Sequence, residues 1–204
     1  MIETFAPNES LTIPLDGLSE ASIRLAFGGG ELTLGRAEPG TLVSGTFDGG
    51  VVQKSRERGV VDLEPADPGR RFLEGCRNRW HVDLTPDIPV DLRLDTGANK
   101  STIDLGKLRV RRLDIHTGAS DTFVRLPAEG QTQLRLKCGF AQVVLEVPED
   151  MAAHIRGKIS FGDTKVDEAR FSRTSDGWQS PDYHSAADHV DIEISGGFGT
   201  VHVR

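Results

Sequence analysis

The strongest constraint on this chain is a glycine that returns every 21 residues with the same neighbours. Gly97, Gly118 and Gly139 stand at that interval. Five and three residues before them come Leu92 and Leu94, Leu113 and Ile115, Leu134 and Leu136. Six and eight residues after them come Ile103 and Leu105, Val124 and Leu126, Leu145 and Val147. A spacing of two puts both members of a pair on one side of an extended strand, so each copy reads as strand, glycine turn, strand. Residues 113–127 show the unit most clearly. Glycine suits the junction because a sharp turn beside a neighbouring copy favours positive φ and the lack of a side chain.

The frame extends outward. Gly28 follows Ile23 and Leu25 and precedes Leu34, and Gly197 follows Ile192 and Ile194 and precedes Val203. Gly162 keeps Ile159 but has Gly157 and Glu168 at the other apolar positions, a degenerate copy. Steps of 21 back from Gly97 land on Cys76, then Ser55, which gives eight candidate copies, five of them clear. A unit of this length fits one coil of a β-solenoid, in which equivalent strands stack in parallel, or a hairpin of an antiparallel sandwich. The column six residues after the glycine reads Leu34, Val61, Val82, Ile103, Val124, Leu145, Val203. Stacked coils produce such an interchangeable column directly, so the sequence favours an all-β solenoid with coils of about 21 residues, as one domain over 1–204. Within it, irregular coils occupy 1–75, regular coils 76–162, an inserted loop or cap 163–190, and a last coil 191–204. A second break in the rhythm falls at 36–50. Only 148–154 and 183–188 could hold a short helix.

The pattern LxLxTGA repeated, followed by WQSPDYHSAADHVDIEISGGFGTVHVR, resembles a bacterial family. Its most telling pieces are Ser180-Pro181-Asp182-Tyr183, the alanine-rich step after it, Ile192-x-Ile194 and Gly197-x-Gly199-x-Val201. These resemble the toast-rack group, which includes the C-terminal domain of LiaF-type envelope-stress proteins and domains labelled as candidate adhesins. The likeness is clear over 92–204 and looser over the first 90 residues. It implies a right-handed, single-stranded β-helix that binds or regulates other proteins.

Stacking brings residues of one frame position together, and four constellations follow. Seven residues after the glycine, Asp62, Asp83, Asp104, Arg125 and Glu146 form an outward column. Adjacent carboxylates repel unless a cation intervenes, and calcium prefers such oxygen ligands, so Asp62, Asp83 and Asp104 are the candidate metal ligands. The plainer reading is a solvated acidic ladder relieved by Arg125. Arg93, Asp114 and Arg135 form a column of alternating charge. Cys76 and Cys138 would lie three coils apart, about 14 Å by strand spacing. A disulfide needs Cα atoms within about 7 Å, so two free thiols are expected, as in a reducing compartment. His184 and His189 sit among Asp182, Asp188 and Asp191, a spacing that suits polar loop residues better than a zinc site. The run Gly28-Gly29-Gly30 precedes a strand pattern, not a helix, and so reads as a turn rather than a phosphate loop.

With a net charge of −7, nucleic acid and anionic membrane are unsuited partners. The first residues lack the basic start and apolar core of a signal peptide, and no apolar run reaches the roughly 20 residues of a membrane helix. A cytoplasmic protein is expected, with an envelope location through a partner or a missing anchor as the alternative. The functional reading is a non-enzymatic module, without catalytic residues or cofactor, that binds a protein or itself. Its candidate contact residues are Phe123, the aromatic on an otherwise regular outer face, with Trp178 and Tyr183 packing onto one end. The rivals are a carbohydrate-active β-helix enzyme built from the three aspartates and a self-assembling scaffold.

Overall fold

The computed structural model describes residues 9–55, 57–66 and 78–204, and the pairs around each glycine form strands there. In chain order these are β1 (Glu9–Pro14), β2 (Ala21–Arg36), β3 (Thr41–Phe47), β4 (Val51–Gln53), β5 (Val60–Pro65), β6 (Arg79–Leu84) and β7 (Val90–Asp104). Then follow β8 (Val110–Arg125), β9 (Gln131–Glu146), β10 (Ala152–Val166), β11 (Ser172–Arg173), β12 (Trp178–Gln179) and β13 (His189–Val203). They join in one mixed sheet, in the order β1-β3-β6-β2-β7-β8-β9-β13-β10-β12-β11, with β4 and β5 alongside β2. No helix occurs among the described residues; 148–151 and 181–185 are turns that continue into strand or loop.

Each long strand must fold back on itself. Leu92 pairs with Leu113 and Leu113 with Leu134, all in parallel. A straight strand of 15 residues spans about 50 Å, and the five residues between β7 and β8 can return the chain across only about 18 Å. The bend at the glycine closes that gap. It turns each strand into two arms whose inward residues face each other. In β8 the first arm supplies Leu113 and Ile115 and the second Val124, while Leu126 follows it; all four are buried in one core. At one end Trp80 packs on Phe27 at 5.3 Å and edge-on to Phe47 at 4.9 Å between ring centres.

The five clear copies are spatial neighbours, in the order β2, β7, β8, β9, β13. Their glycines form one column in which backbone approaches backbone. A Cβ on Gly97 would lie 2.0 Å from the Gly28 carbonyl oxygen, and one on Gly118 would lie 3.0 Å from that of Gly97. None of these five glycines has positive φ. Close approach, not left-handed backbone, is what demands glycine at Gly97; the contact is tight but looser at Gly118, Gly139 and Gly197, and a Cβ on Gly28 would meet open space.

Three features differ from the sequence expectation. The Ser55 and Cys76 copies are two halves of one coil: Val61 and Leu63 of β5 pair with Ile23 and Leu25 in the first arm of β2. Val82 and Leu84 of β6 pair with Leu34 and Arg36 in its second arm. Val61 therefore leaves the predicted column, and Cys76 lies outside the described residues. In β10 the frame is off by two, because Ile155 pairs with Ile192 and Val166 with Val203, which places Ser160, not Gly162, opposite Gly197. Most consequentially, β13 does not follow β10 in the stack but lies between β9 and β10, pairing in parallel with both. Its inward positions (Val190, Ile192, Ile194, Val201, Val203) are all buried. The second arm of β10 is exposed and carries charge, which suits an edge.

The two breaks in the rhythm lie at the ends of the stack. The segment 36–50 contains β3, which pairs antiparallel with β6 and with β1 and so covers that edge. The segment 163–190 first completes β10, then forms a cap. Phe171 is fully buried beneath it, and β12 pairs with β10 only at His154 and Ile155. The guanidinium of Arg170 donates to the carbonyls of Val147, Pro148 and Met151 and so holds the preceding turn.

Candidate interaction surface

Because glycine contributes no side chain, the bend leaves bare backbone along the column. An open trough of about 1030 Å³ runs there from Glu64 and Asn78 at one end to Gly197 at the other. Its polar rim is Glu64, Asp95, His116 and Lys137, and Cys138 lies in its wall. The carboxylates on this rim are engaged. Arg24 donates to Asp95 at 2.7 Å and to Asp62 and Glu64, both at 2.9 Å. Arg93 reaches Asp95 at 3.0 Å. Burial alone would raise the Asp95 carboxyl, but the hydrogen bonds from Arg93 and Arg24 outweigh it and hold the group below its ordinary range. The Arg24 bond likewise holds Glu64 down. Such groups are fixed as anions, not poised to carry protons. Cys138 is buried, which pushes its thiol up.

Next to this network the charged column continues further than the sequence suggested, alternating in sign except where Arg24 and Arg93 are neighbours. Asp62, Arg24, Arg93, Asp114, Arg135, Glu193 and Arg156 lie on successive strands. Two adjacent pairs close as ion pairs, Asp62 with Arg24 at 2.9 Å and Arg135 with Glu193 at 3.5 Å. The acidic column is broken in the same step. Asp62 lies opposite Arg24 in the first arm, while Asp83 and Asp104 belong to the second arm on either side of Gly35. Asp83 faces His81 at 3.2 Å and Asp104 faces Arg125 at 3.4 Å. The structure therefore does not bring the three aspartates together.

An exposed aromatic ridge among the described residues was not anticipated. Phe140 of β9, Phe198 of β13 and Phe161 of β10 follow the glycine position by one residue and are 66%, 42% and 67% exposed. Their rings stack nearly parallel, 6° and 15° apart in plane, with centres 4.5 and 4.7 Å apart. Face-to-face stacking at strand spacing gives a ridge three rings long, presenting ring edges to solvent. On the neighbouring strands β8 and β7 the same position is Ala119 and Ala98. Phe140 and Phe198 each follow a reference glycine directly and share a frame position. Seeing the ridge also required β13 to lie between β9 and β10.

The predicted contact residues lie elsewhere. Phe123 is half-buried on the second arm of β8. Trp178 packs half-buried against the core within the cap, with the Arg173 guanidinium 5.1 Å above its ring. Tyr183 donates to Asp191 at 2.7 Å, and burial with that bond raises its phenol to about 12. His184 and His189 both approach the Tyr183 ring edge-on, at 5.4 and 5.3 Å. No group of three or more metal-ligating side chains is gathered among the described residues. No helix among them is long and apolar enough to cross a membrane.

A crystal structure of a candidate cell adhesion protein from Clostridium sporogenes superposes with a TM-score of 0.83 at 18% identity, over 96% of this chain and 97% of that one. A candidate adhesin from Bacteroides fragilis gives a TM-score of 0.37 at 9% identity, over 97% of each chain. None of the curated proteins matches the sequence. The first neighbour shares the fold, an all-β sheet that fits a solenoid. The family model describing the N-terminal domain of toast_rack (DUF2154) matches residues 2–146, a range reaching well before the stretch where the sequence likeness is most legible. With the match spanning most of its length, the chain belongs to the toast-rack family.

Proposed function

We propose that this domain is a non-enzymatic protein-binding module of the bacterial cell envelope, a right-handed solenoid of coils of about 21 residues. The observation that carries the reading is the ridge of Phe140, Phe198 and Phe161. Large exposed apolar rings in register on three strands do nothing for the core, and such patches mark interaction sites. Charge supports the same reading, since the rim carboxylates are tied to arginines and the three aspartates are kept apart, leaving little for a lyase to use. The 21-residue register between β7, β8 and β9 supports the coil length, and the usual hand of parallel crossovers supports the winding. The fold shared with a candidate cell adhesion protein agrees with an envelope role. Phe123, Trp178 and Tyr183, all half-buried, rank behind the ridge as contacts.

The test replaces Phe140 with a photo-crosslinking phenylalanine analogue in host cells, with the exposed turn residue Lys107 as the control position. An adduct specific to position 140 is expected. The purified partner should then lose about tenfold or more in affinity for Phe198→Ser at unchanged melting temperature. Equal labelling at both positions, or an affinity indifferent to Phe198→Ser, would overturn the proposal.

A further inference from the structure

The second arm of β10 leaves a strand edge open among the described residues, and its charges match their own two-fold image. Among the described residues, the cap pairs with β10 only at His154 and Ile155, so the edge from Lys158 to Val166 has no neighbour beyond β13. At the opposite end of the sheet β3 pairs with β6, and β1 with β3. An unpaired edge is a template for another strand, and a natural protein usually blunts it with charge. Here the charges are Asp163 and Lys165, both exposed and without an ion pair among the described residues, on either side of Thr164. The Thr164 hydroxyl is buried and has no hydrogen-bond partner among the described residues.

We propose that the edge of β10 binds the same edge of a second copy, antiparallel, with the two-fold axis at Thr164. In that register Asp163 of each copy lies opposite Lys165 of the other, giving two cross-strand ion pairs. The two Thr164 residues lie opposite each other, where cross-strand threonines hydrogen-bond. Parallel addition in register would instead set Asp163 on Asp163 and Lys165 on Lys165. The charge pattern therefore selects the antiparallel pairing, an isologous contact that closes as a dimer. The pairing goes beyond the protein-binding reading because it uses a strand edge rather than the ring ridge.

Sedimentation equilibrium on the full chain tests it. A concentration-dependent dimer is expected. Lys165→Asp should weaken it by about 10- to 100-fold by setting Asp163 against an aspartate. The charge-swapped double variant Asp163→Lys with Lys165→Asp should restore it, and melting temperatures should show that each variant is folded. A monomer at concentrations up to about 0.5 mM, where even a small interface associates, overturns the pairing. So does a dimer indifferent to Lys165→Asp, or one the double variant fails to rescue. A monomer that still gives the adduct at position 140 removes the dimer and leaves the protein-binding reading standing. A charge-sensitive dimer without that adduct does the reverse.

Discussion

Replacing Gly97 with alanine puts a methyl carbon 2.0 Å from the Gly28 carbonyl oxygen, inside the parallel ladder between β2 and β7. Neither atom moves freely, because β7 is held by sheet pairing on two sides and β2 is paired to it on either side of Gly28. The strands must part by about an ångström, and overpacking of this kind costs about 1–3 kcal/mol or somewhat more. Against it stands the gain from restricting the unfolded chain, about 0.4–1 kcal/mol where the backbone suits alanine, as it does at this φ. The net loss is about 2 kcal/mol, and for a domain of this size it lowers the melting temperature by about 4–8 °C. Gly139 and Gly197 provide the internal control. A Cβ there would lie 3.2 Å from the neighbouring carbonyl oxygen, close enough to require only a slight shift. Alanine at either site should leave the melting temperature within about 3 °C of wild type, because the two effects nearly cancel. Thermal unfolding followed by circular dichroism on the three single variants measures the ranking. Equal losses at Gly97 and Gly139, or a larger loss at Gly139, would refute close approach as the reason for glycine at the bend.

Other measurements follow from the site. Tyr183 is the single tyrosine of the chain, so absorbance at 295 nm titrates it alone; the native midpoint should lie near 12 and fall to about 10 in denaturant. Because the folded value is the higher, this group's contribution is fully present below pH 10 and is lost as pH rises through 12. A native midpoint at the unfolded value would show that the bond to Asp191 is not made. Asp95 and Glu64 are held below their ordinary values of 3.8 and 4.5, so their contribution is present above that range and disappears as pH falls through and below it. Arg24→Met should flatten the acid limb of a pH–stability curve, and an unchanged limb would refute the role given to Arg24. In a Cys76→Ser background, Cys138 should react with a thiol reagent only on unfolding, since it is buried and its thiol is pushed up. Rapid labelling of the native protein would contradict that burial.

Much of the fold could be read directly from spacing. Pairs such as Leu113 and Ile115 or Val124 and Leu126 assign inward faces because alternation along a strand is a local property, and every one of these residues is buried. The glycine column was legible for the same reason, and so was the family. What misled was counting in steps of 21 where the chain departs from the rhythm. Val61 and Val82 fit one frame on paper, yet they pair with opposite arms of β2. Gly162 looked like the reference glycine of β10, although Ser160 occupies that place.

The sequence by itself determined that the chain is all-β, that it bends at glycines and which residues face the core. Those features depend on φ/ψ preferences and on alternation within a few residues. Only the tertiary structure decided which strand lies beside which. Strand neighbours separated by 58 residues, such as Leu134 and Ile192, are chosen by the burial each strand can offer on both sides, not by distance along the chain. The placement of β13 between β9 and β10 stacked Phe140, Phe198 and Phe161 into a ridge and left β10 with an open edge. Both candidate binding features of the protein come from that single choice of neighbour.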